Sequence, residues 1–256
     1  MGWRDNISKD ARHIVCLSGG KDSSALAIYL RDKIPNIEYV FSDTGEELPE
    51  TYEYMYKLQD FLGKKIIWLK SEKNFKYYLD YFNGVLPGPK LRWCTKRLKL
   101  DPYNKFVGND PVFSYVGIRA DETTRKGFIP KKDNLVTVFP FVEDNYIKSD
   151  IFRILEDVGI GLPEYYKWRS RSGCYFCFFQ RKIEWIGLLE YHPDLYELAS
   201  SYEKKDFTWI QYESLADLKQ PAKIEEIKRN FARAEFLRSK RFVSNQRLCE
   251  LWNYYS

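Results

Sequence analysis

Histidine is scarce in this chain. The 256 residues include two histidines, beside 41 Lys and Arg and 36 Asp and Glu. His13 stands just before an apolar run and His192 just before a proline, so both are expected at the surface or at a helix cap. A histidine-based metal centre and a Ser-His-Asp catalytic set are therefore not expected, and no pair of carboxylates at catalytic spacing emerges.

Long hydrophobic runs are also missing. No stretch approaches the roughly 18 apolar residues of a membrane helix, and the first residues, MGWRDNISKDARH, lack the apolar core of a secretion signal. We therefore expect no membrane partner and a cytoplasmic, reducing location. Five cysteines in that setting are more often thiols, metal ligands or catalytic groups than disulfides.

The net charge and the aromatic content of the chain are compatible with a nucleic-acid partner. The net charge is +5 and aromatic residues make up 17% of the chain. A mildly basic chain fits a nucleic acid, or another ligand that carries phosphate, without requiring one. Some of the aromatic side chains must form the core, and others could stack on bases.

Short apolar segments alternate with helix-forming segments through the first part of the chain. This rhythm predicts an α/β fold with a parallel twisted sheet and helices on both faces. Strands are expected at 13–18, 37–43, 65–70, 111–118 and 135–141, with helices at 23–33 and 49–63. Ligands of such sheets bind beyond the carboxyl ends of the strands.

From about residue 148 the pattern predicts helices alone. We expect a nucleotide-binding α/β domain at 1–145 and a helical C-terminal part at 146–256, which carries a Cys-x-x-Cys segment. The boundary near residue 145 is a soft one.

The first strand ends in a glycine turn, within the string IVCLSGGKDSS. The unpaired amides and the dipole of a following helix favour an anion. Gly19 and Gly20 let the backbone approach a phosphate closely, and Ser18, Ser23 and Ser24 add hydroxyl donors. The string fits neither G-x-x-x-x-G-K-[ST] nor G-x-G-x-x-G, and an ordinary glycine-containing turn is the alternative interpretation.

The string S-G-G-K-D-S resembles the signature of the PP-loop ATP pyrophosphatases. Those enzymes bind the pyrophosphate end of ATP, cleave between the α and β phosphates, and activate a substrate as an adenylate. The resemblance implies an adenine nucleotide alpha hydrolase-like fold. It also implies that Lys21 faces phosphate charge and that Asp22 holds Mg²⁺.

Two further segments resemble the phosphoadenylylsulfate (PAPS) reductase-like branch of that superfamily. DTGEELPET implies that Asp43 and Thr44 lie near adenine and ribose, although an ordinary turn with Pro49 at the helix start is also sound. GIRADETTRKG implies that Arg119 and Arg125 meet phosphate or sulfate oxygens. A solvated charged loop is the alternative for this second segment.

Three cysteines stand among basic residues: Cys94 in LRWCTKRLKLDP, and Cys174 and Cys177 in RSRSGCYFCFFQRK. Nearby cations are expected to lower thiol pKa values and favour thiolates, which bind Zn²⁺ or an iron–sulfur cluster. The pattern resembles the DNA-phosphorothioation and tRNA-thiolation members of the PP-loop group, which implies a [4Fe–4S] cluster with one iron open to an inorganic sulfide. Zinc, a redox or persulfide-carrying thiol set, and unliganded cysteines stay open. Cys16 is expected in the core, and Cys249 is a candidate for the missing fourth ligand.

Together these resemblances imply an adenylating sulfur-transfer enzyme that uses ATP and Mg²⁺, with Lys21, Asp22 and Arg119 as its catalytic residues. The expected substrate is nucleic acid, with DNA favoured, and the expected sulfur source is a cysteine desulfurase.

The alternatives are a sulfonucleotide reductase, a tRNA thiolation enzyme, and a module that holds ATP without turning it over. A reductase would carry a C-terminal Glu-Cys-Gly-Leu-His stretch, and NQRLCELWNYYS lacks its Gly and His. A homodimer stays open.

Overall fold

The computed structural model describes residues 3–6, 10–125, 127 and 132–255. Five parallel strands form one sheet in the order β3-β2-β1-β4-β5, which confirms the predicted sheet. The strands are β1 Arg12–Leu17, β2 Glu38–Asp43, β3 Ile66–Lys70, β4 Val112–Tyr115 and β5 Leu135–Val138. The last strand is shorter than predicted because Pro140 begins a helix soon after it.

Helices connect β1 to β2, β2 to β3 and β3 to β4, and the described elements after β5 are helices. They are α1 Lys21–Leu30, α2 Pro49–Leu62, α3 Phe75–Tyr81, α4 Trp93–Thr95, α5 Asp101–Val107, α6 Pro140–Glu143, α7 Lys148–Asp157, α8 Lys182–Tyr191, α9 Pro193–Ser201, α10 Leu215–Leu218 and α11 Pro221–Tyr255. A π-helical turn, Lys96–Leu100, joins α4 to α5, and 3₁₀ turns occupy Trp3–Asn6 and Glu164–Lys167.

Successive residues of the strands face two different layers of helices. Val15 and Phe41 belong to the larger core cluster, to which α1, α2 and α7 contribute. Ile14 and Val40, the neighbours of those residues, belong to a second cluster that includes Val107 of α5. Both faces of the sheet are therefore covered, which explains why its strands are apolar almost throughout.

The order of the strands creates a crevice beside β1. The chain runs from β1 to β2 and β3 on one side and later adds β4 and β5 on the other side. The connections thus leave in opposite directions at the carboxyl ends of β1 and β4. This switch point is where open parallel sheets bind their ligands.

The described chain forms two compact units, one that extends to Cys177 and one that begins at Phe178. The first unit continues past residue 145, where the sequence pattern placed its soft boundary. The physical reason is α7, which packs on α1 and buries Ile151 and Leu155 in the larger core cluster.

The second unit consists of α8 to α11, which confirms the predicted helical C-terminal part. Its core contains Trp185, packed edge-on to Tyr196 and tilted against Trp209. The polar atoms of two of these rings are satisfied by backbone oxygens, since Tyr196 donates to Leu215 and Trp209 donates to Ala199. Among the described residues, no helix combines the length and the apolar character that crossing a membrane requires.

Asp144 ties the N-terminal 3₁₀ turn to the rest of the first unit. Its carboxylate accepts hydrogen bonds from Trp3 Nε1 at 2.8 Å, from the Tyr29 hydroxyl at 2.7 Å and from the Arg4 guanidinium at 2.7 Å. Burial acts to raise the pKa of Asp144, but these hydrogen bonds outweigh it and lower the pKa below its usual value. The charged form is therefore the one that the folded chain stabilises.

We expect Asp144→Asn to lower the free energy of unfolding by about 1–3 kcal/mol at pH 7, because three donors lose a charged acceptor. A lowered folded pKa means that this stabilisation is present above the unfolded pKa and disappears as the pH falls through the folded value. The difference between variant and wild type should therefore shrink below about pH 4. Urea unfolding at pH 7 and pH 3 measures it, and an equal difference at both pH values would contradict the assignment.

Candidate functional site

The glycine turn between β1 and α1 is the centre of the candidate site. Gly19 has a φ of +70°, a left-handed conformation that glycine adopts without strain. A Cβ at this position would lie 2.5 Å from the Thr51 Cγ2 atom of α2. A Cβ on Gly20 would lie 2.7 Å from the Ser172 hydroxyl oxygen. The two glycines are therefore required by the close approach of two other segments.

The serines of the turn brace it internally. The Ser23 hydroxyl accepts from the Ser18 amide at 3.1 Å and donates to the Gly20 carbonyl at 3.1 Å. The Ser24 hydroxyl donates to the same carbonyl at 2.9 Å and is fully buried. Ser24, predicted as a ligand donor, thus holds the start of α1 in this structure.

A cavity of about 600 Å³ opens at the switch point between β1 and β4. The predicted residues that line it are Ser18, Gly20, Lys21, Asp22, Ser23, Arg119 and Arg125. It is also lined by Glu122, Lys148, Tyr166, Ser170, Arg171 and Ser172, which the sequence interpretation did not name. Its volume lies in the range of ordinary small-molecule sites.

Three predicted catalytic residues form one chain of ion pairs on the cavity wall. Lys21 Nζ lies 2.8 Å from one oxygen of Asp22, and the Arg119 guanidinium lies 2.6 Å from the other. Burial acts to lower the pKa of Arg119, but hydrogen bonds to Asp121 and Asp22 outweigh it and raise the pKa above its usual value. Arg119 is therefore a permanent cation beside the glycine turn.

Further cations line the cavity. Arg125 is about half exposed and pairs with Glu122 at 3.0 Å, and Lys148 and Arg171 contribute to the lining. The cavity therefore carries more basic than acidic side chains, a balance that favours phosphate-bearing ligands.

Asp43 and Thr44 do not line this cavity. Asp43 is buried at the end of β2, where it accepts from the Gly45 amide and the Tyr52 hydroxyl, each at 2.9 Å, and pairs with Lys70. Thr44 donates to Glu47 and lies 3.3 Å from the Cys174 sulfur. The structure therefore places Thr44 beside the cysteines, while the predicted adenine and ribose contacts of both residues stay predictions.

The structure brings the three predicted cysteines to one region. Cys174 pairs in an isolated antiparallel bridge with Glu47, and its sulfur lies 4.0 Å from a Glu47 carboxylate oxygen. Lys99 lies 3.9 Å from the same carboxylate, and its ammonium interacts electrostatically with Cys174, Cys177 and Cys94. We call these five side chains the thiol set.

A π-helical turn, Lys96–Leu100, carries Lys99 of the thiol set. It begins two residues after Cys94, directly after the short helix α4. Single π turns occur frequently at functional sites. The pattern CTKRLK thus carries a cation as well as a thiol.

The expectation that neighbouring cations favour thiolates is wrong for two of the cysteines. Burial is the largest effect on both Cys94 and Cys174, and it raises the pKa of each thiol. Glu47 raises the pKa of Cys174 further, and Lys99 offsets only part of these effects. Local sequence charge did not reveal this, because burial depends on how distant segments pack.

The thiol set brings three thiols and one ammonium together beside Glu47, and cysteine thiolates are the usual ligands of iron–sulfur clusters. Within the described residues, no three His, Cys, Asp or Glu side chains are arranged around a point that could hold a single metal ion. Cys16 lies on β1, where its sulfur lies 3.2 Å from the Ser114 hydroxyl oxygen. The side chain of Cys249, the candidate fourth ligand, lies outside the described part of the chain.

One segment joins the cavity to the thiol set. The Ser172 hydroxyl donates to the Ser18 hydroxyl of the glycine turn at 3.2 Å. Cys174 follows two residues later, so its Cα lies within about 7 Å of the Ser172 Cα. The run RSRS before the Cys-x-x-Cys segment was the available sequence signal for this connection.

Relatives of this chain include proteins without an assigned activity. An uncharacterized protein of Methanocaldococcus jannaschii is 30% identical over 72% of this chain and 40% of its own length. An uncharacterized protein of Escherichia phage 186 is 26% identical over 75% of this chain and 74% of its own length. The chain spans less than half the length of the archaeal relatives that it matches.

Comparison with solved structures and family profiles gives the fold and the family. The crystal structure of the PAPS reductase from Candida auris, a phosphate complex, superposes with a TM-score of 0.53 and 12% identity, over 65% of this chain and 82% of that chain. The profile of the phosphoadenosine phosphosulfate reductase domain matches residues 12–177. These residues contain the whole sheet, the glycine turn and the thiol set. Since they make up more than half of the sequence, the chain belongs to the phosphoadenosine phosphosulfate reductase domain family.

Proposed function

We propose that this chain is an ATP pyrophosphatase that adenylates a nucleic-acid backbone, most specifically DNA, so that sulfur can replace an oxygen. The observation that carries this proposal is the hydrogen bond from Ser172 to Ser18. It attaches the segment that bears Cys174 directly to a basic cavity of about 600 Å³ at the switch point of the sheet. Membership of the family supports a nucleotide as the ligand of that cavity.

The glycine turn binds the pyrophosphate end of ATP in this proposal. The first amides of α1 and the Ser18 hydroxyl donate to phosphate oxygens, and Lys21 and Arg119 neutralise the charge that develops on the leaving pyrophosphate. Asp22 fits Mg²⁺, because magnesium is usually held by one or two carboxylates together with substrate phosphates. When bound, Mg²⁺ supplies further charge neutralisation at the phosphate oxygens.

The reaction balances as two displacements. A nonbridging oxygen of the substrate phosphodiester forms a bond to the α-phosphorus of ATP, and the bond from that phosphorus to the β-bridging oxygen breaks, so pyrophosphate leaves with the electron pair. A hydrosulfide-level sulfur then forms a bond to the activated phosphorus of the substrate. The bond from this phosphorus to the oxygen shared with AMP breaks, AMP leaves, and the proton on sulfur passes to solvent.

In this proposal, the thiol set is the site from which sulfur is delivered to the activated substrate. Cys94, Cys174 and Cys177 would hold a [4Fe–4S] cluster, with Lys99 as the compensating cation and a cysteine desulfurase as the sulfur-donating partner. When bound, such a cluster would offer an iron that can carry inorganic sulfide. Zinc in the same place would offer neither sulfide storage nor redox chemistry, and anaerobic purification with iron, sulfide and zinc assays separates the two metals.

The experiment that tests this function compares host DNA and tRNA by mass spectrometry, with and without the gene. We expect phosphorothioate-linked dinucleotides in DNA only when the gene is present. Sulfur in tRNA nucleosides alone would move the substrate to tRNA, and sulfur in neither would contradict nucleic-acid modification.

Replacing Cys174 should separate the two half-reactions. We expect Cys174→Ser to keep pyrophosphate release, the product of the first displacement, within about threefold, because the cavity and the glycine turn are intact. Sulfur incorporation and the AMP that leaves with it should be abolished. Product analysis of pyrophosphate, AMP and sulfur in one reaction measures both steps. Equal loss of pyrophosphate release would show that the thiol acts in adenylation and would contradict this division of roles.

The family description favours a second candidate, reduction of a sulfonucleotide to sulfite. This candidate predicts sulfite release from phosphoadenylylsulfate with thioredoxin, and it predicts that Cys249→Ser abolishes the release. The proposed function predicts no sulfite and unchanged sulfur incorporation in Cys249→Ser. The same two proteins therefore decide between the candidates.

A further inference from the structure

Two adjacent tyrosines form hydrogen bonds to the backbone of the glycine turn. The Tyr165 hydroxyl donates to the Gly19 carbonyl at 2.6 Å. The Tyr166 hydroxyl accepts from the backbone amide of Lys21 at 3.2 Å. The two rings stack with their centroids 4.9 Å apart, and Tyr166 lines the cavity.

The Lys21 amide is a group that a phosphate would use. Lys21 is the first residue of α1, and amides in the first turn of a helix have no partner within the helix. The Ser23 and Ser24 hydroxyls donate to the Gly20 carbonyl within the turn. The Tyr166 hydroxyl therefore occupies the place of a phosphate oxygen on this amide.

The same segment fixes the position of Cys174. Arg169, which is 2% exposed, donates to the Gly173 carbonyl at 3.0 Å and to the Cys174 carbonyl at 2.9 Å. Arg169 is the third residue after Tyr166, and its backbone amide bonds to the Tyr165 carbonyl at 2.8 Å. Arg169 therefore connects the backbone of the tyrosine pair to the backbone of Cys174.

We propose that Tyr166 is a positioning residue that competes with the phosphate ligand for the Lys21 amide, so that ligand binding releases the segment from Tyr166 to Cys174. One amide cannot donate fully to two acceptors, and a phosphate oxygen is the stronger acceptor because it is charged. Since binding equilibria are reciprocal, whatever loosens this segment must also strengthen ligand binding. This inference rests on the proposed function for its ligand, and it links nucleotide occupancy to the thiol that handles sulfur.

The test uses the full chain and Tyr166→Phe, which keeps the ring and removes the hydroxyl. Inorganic pyrophosphate is the probe, and its affinity is measured by calorimetry. We expect Tyr166→Phe to bind pyrophosphate about threefold to tenfold more tightly, the change that one net hydrogen bond supports. Unchanged or weaker binding would overturn the proposal, because it would make Tyr166 neutral or a direct ligand contact.

Hydrogen exchange measures the other half of the linkage. The amides of Tyr175 and Cys177 bond to the Glu46 and Cys174 carbonyls. We expect pyrophosphate to speed their exchange about threefold to tenfold in wild type. In Tyr166→Phe the faster exchange should be present without ligand and should not increase further. Slower or unchanged exchange in wild type would overturn the coupling.

Tyr212→Phe is the matched control, since Tyr212 is 94% exposed and lies in the second unit. It should change neither pyrophosphate affinity nor the exchange of these amides, and a change equal to that of Tyr166→Phe would overturn the proposal. Pyrophosphate binding requires no turnover. A chain that binds pyrophosphate with the expected coupling but forms no AMP from ATP would therefore count against the proposed function and leave the coupling standing.

Discussion

Arg119→Met is expected to slow AMP formation from Mg·ATP by about 10²–10³-fold, the usual cost of removing one preorganised donor from a developing negative charge. Arg119 lies on the cavity wall, bonds to Asp22 at 2.6 Å and to Asp121 at 2.8 Å, and is mostly buried. These bonds hold the guanidinium in place before ATP arrives. The substitution removes both the charge and the preorganised geometry.

Steady-state production of AMP and pyrophosphate measures this effect, and Arg153→Met serves as the control. Arg153 pairs with Asp150 at 2.6 Å on α7 but does not line the cavity. It should leave the rate within about threefold of wild type. A similar small effect from Arg119→Met would remove Arg119 from the catalytic residues. Arg119→Lys should give an intermediate rate, because lysine keeps the charge and loses the planar fork.

Gly19→Ala is expected to lower the free energy of unfolding by about 2–4 kcal/mol and to abolish tight pyrophosphate binding. Two separate costs contribute to this. The φ of +70° costs an alanine about 1 kcal/mol, and the Cβ at 2.5 Å from Thr51 Cγ2 forces the turn and α2 apart. The loss of binding follows because the amides of the turn would no longer converge on the phosphate.

Two further variants separate those costs. Gly63 has a φ of +61° and open space around its Cβ position, so Gly63→Ala should show the conformational cost alone. Thr51→Ser removes the clashing methyl group, so the double variant Gly19→Ala with Thr51→Ser should recover part of the lost stability. Urea unfolding measures all of them. Equal losses for Gly19→Ala and Gly63→Ala would contradict the close packing of α2 against the turn.

Local sequence patterns predicted the parts of this site that local structure determines. The glycine turn follows from the small residues between an apolar strand and a helix, and Lys21, Asp22 and Arg119 do line the cavity. Local sequence patterns do not predict the direction of a side chain at a strand end, because that direction depends on the backbone turn that follows the strand. Asp43 bonds to Tyr52 and Lys70 at the end of β2, and its predicted ligand contact stays a prediction.

Tertiary packing determined the rest of the site. Tyr166 and Ser172 reach the glycine turn from more than 140 residues away in sequence, and nothing in their local pattern identifies that partner. Packing is also the reason why two of the thiol pKa values are raised, where the local sequence charge predicted that they would be lowered. Lys and Arg surround the cysteines in sequence, but burial beside Glu47 dominates Cys174 in the folded chain. Lys99 was overlooked because its proximity to Cys174 and Cys177, which are distant in sequence, depends on tertiary packing.

The identity of the nucleotide products tests the proposed adenylation most directly. The purified chain is incubated with Mg·ATP labelled in the α- and γ-phosphates, nicked or intact DNA, and a hydrosulfide source, and the products are separated and counted. We expect AMP and pyrophosphate in equal amounts, formed only when DNA is present and lost in Arg119→Met. ADP with inorganic phosphate, or AMP formed at the same rate without any nucleic acid, would contradict it.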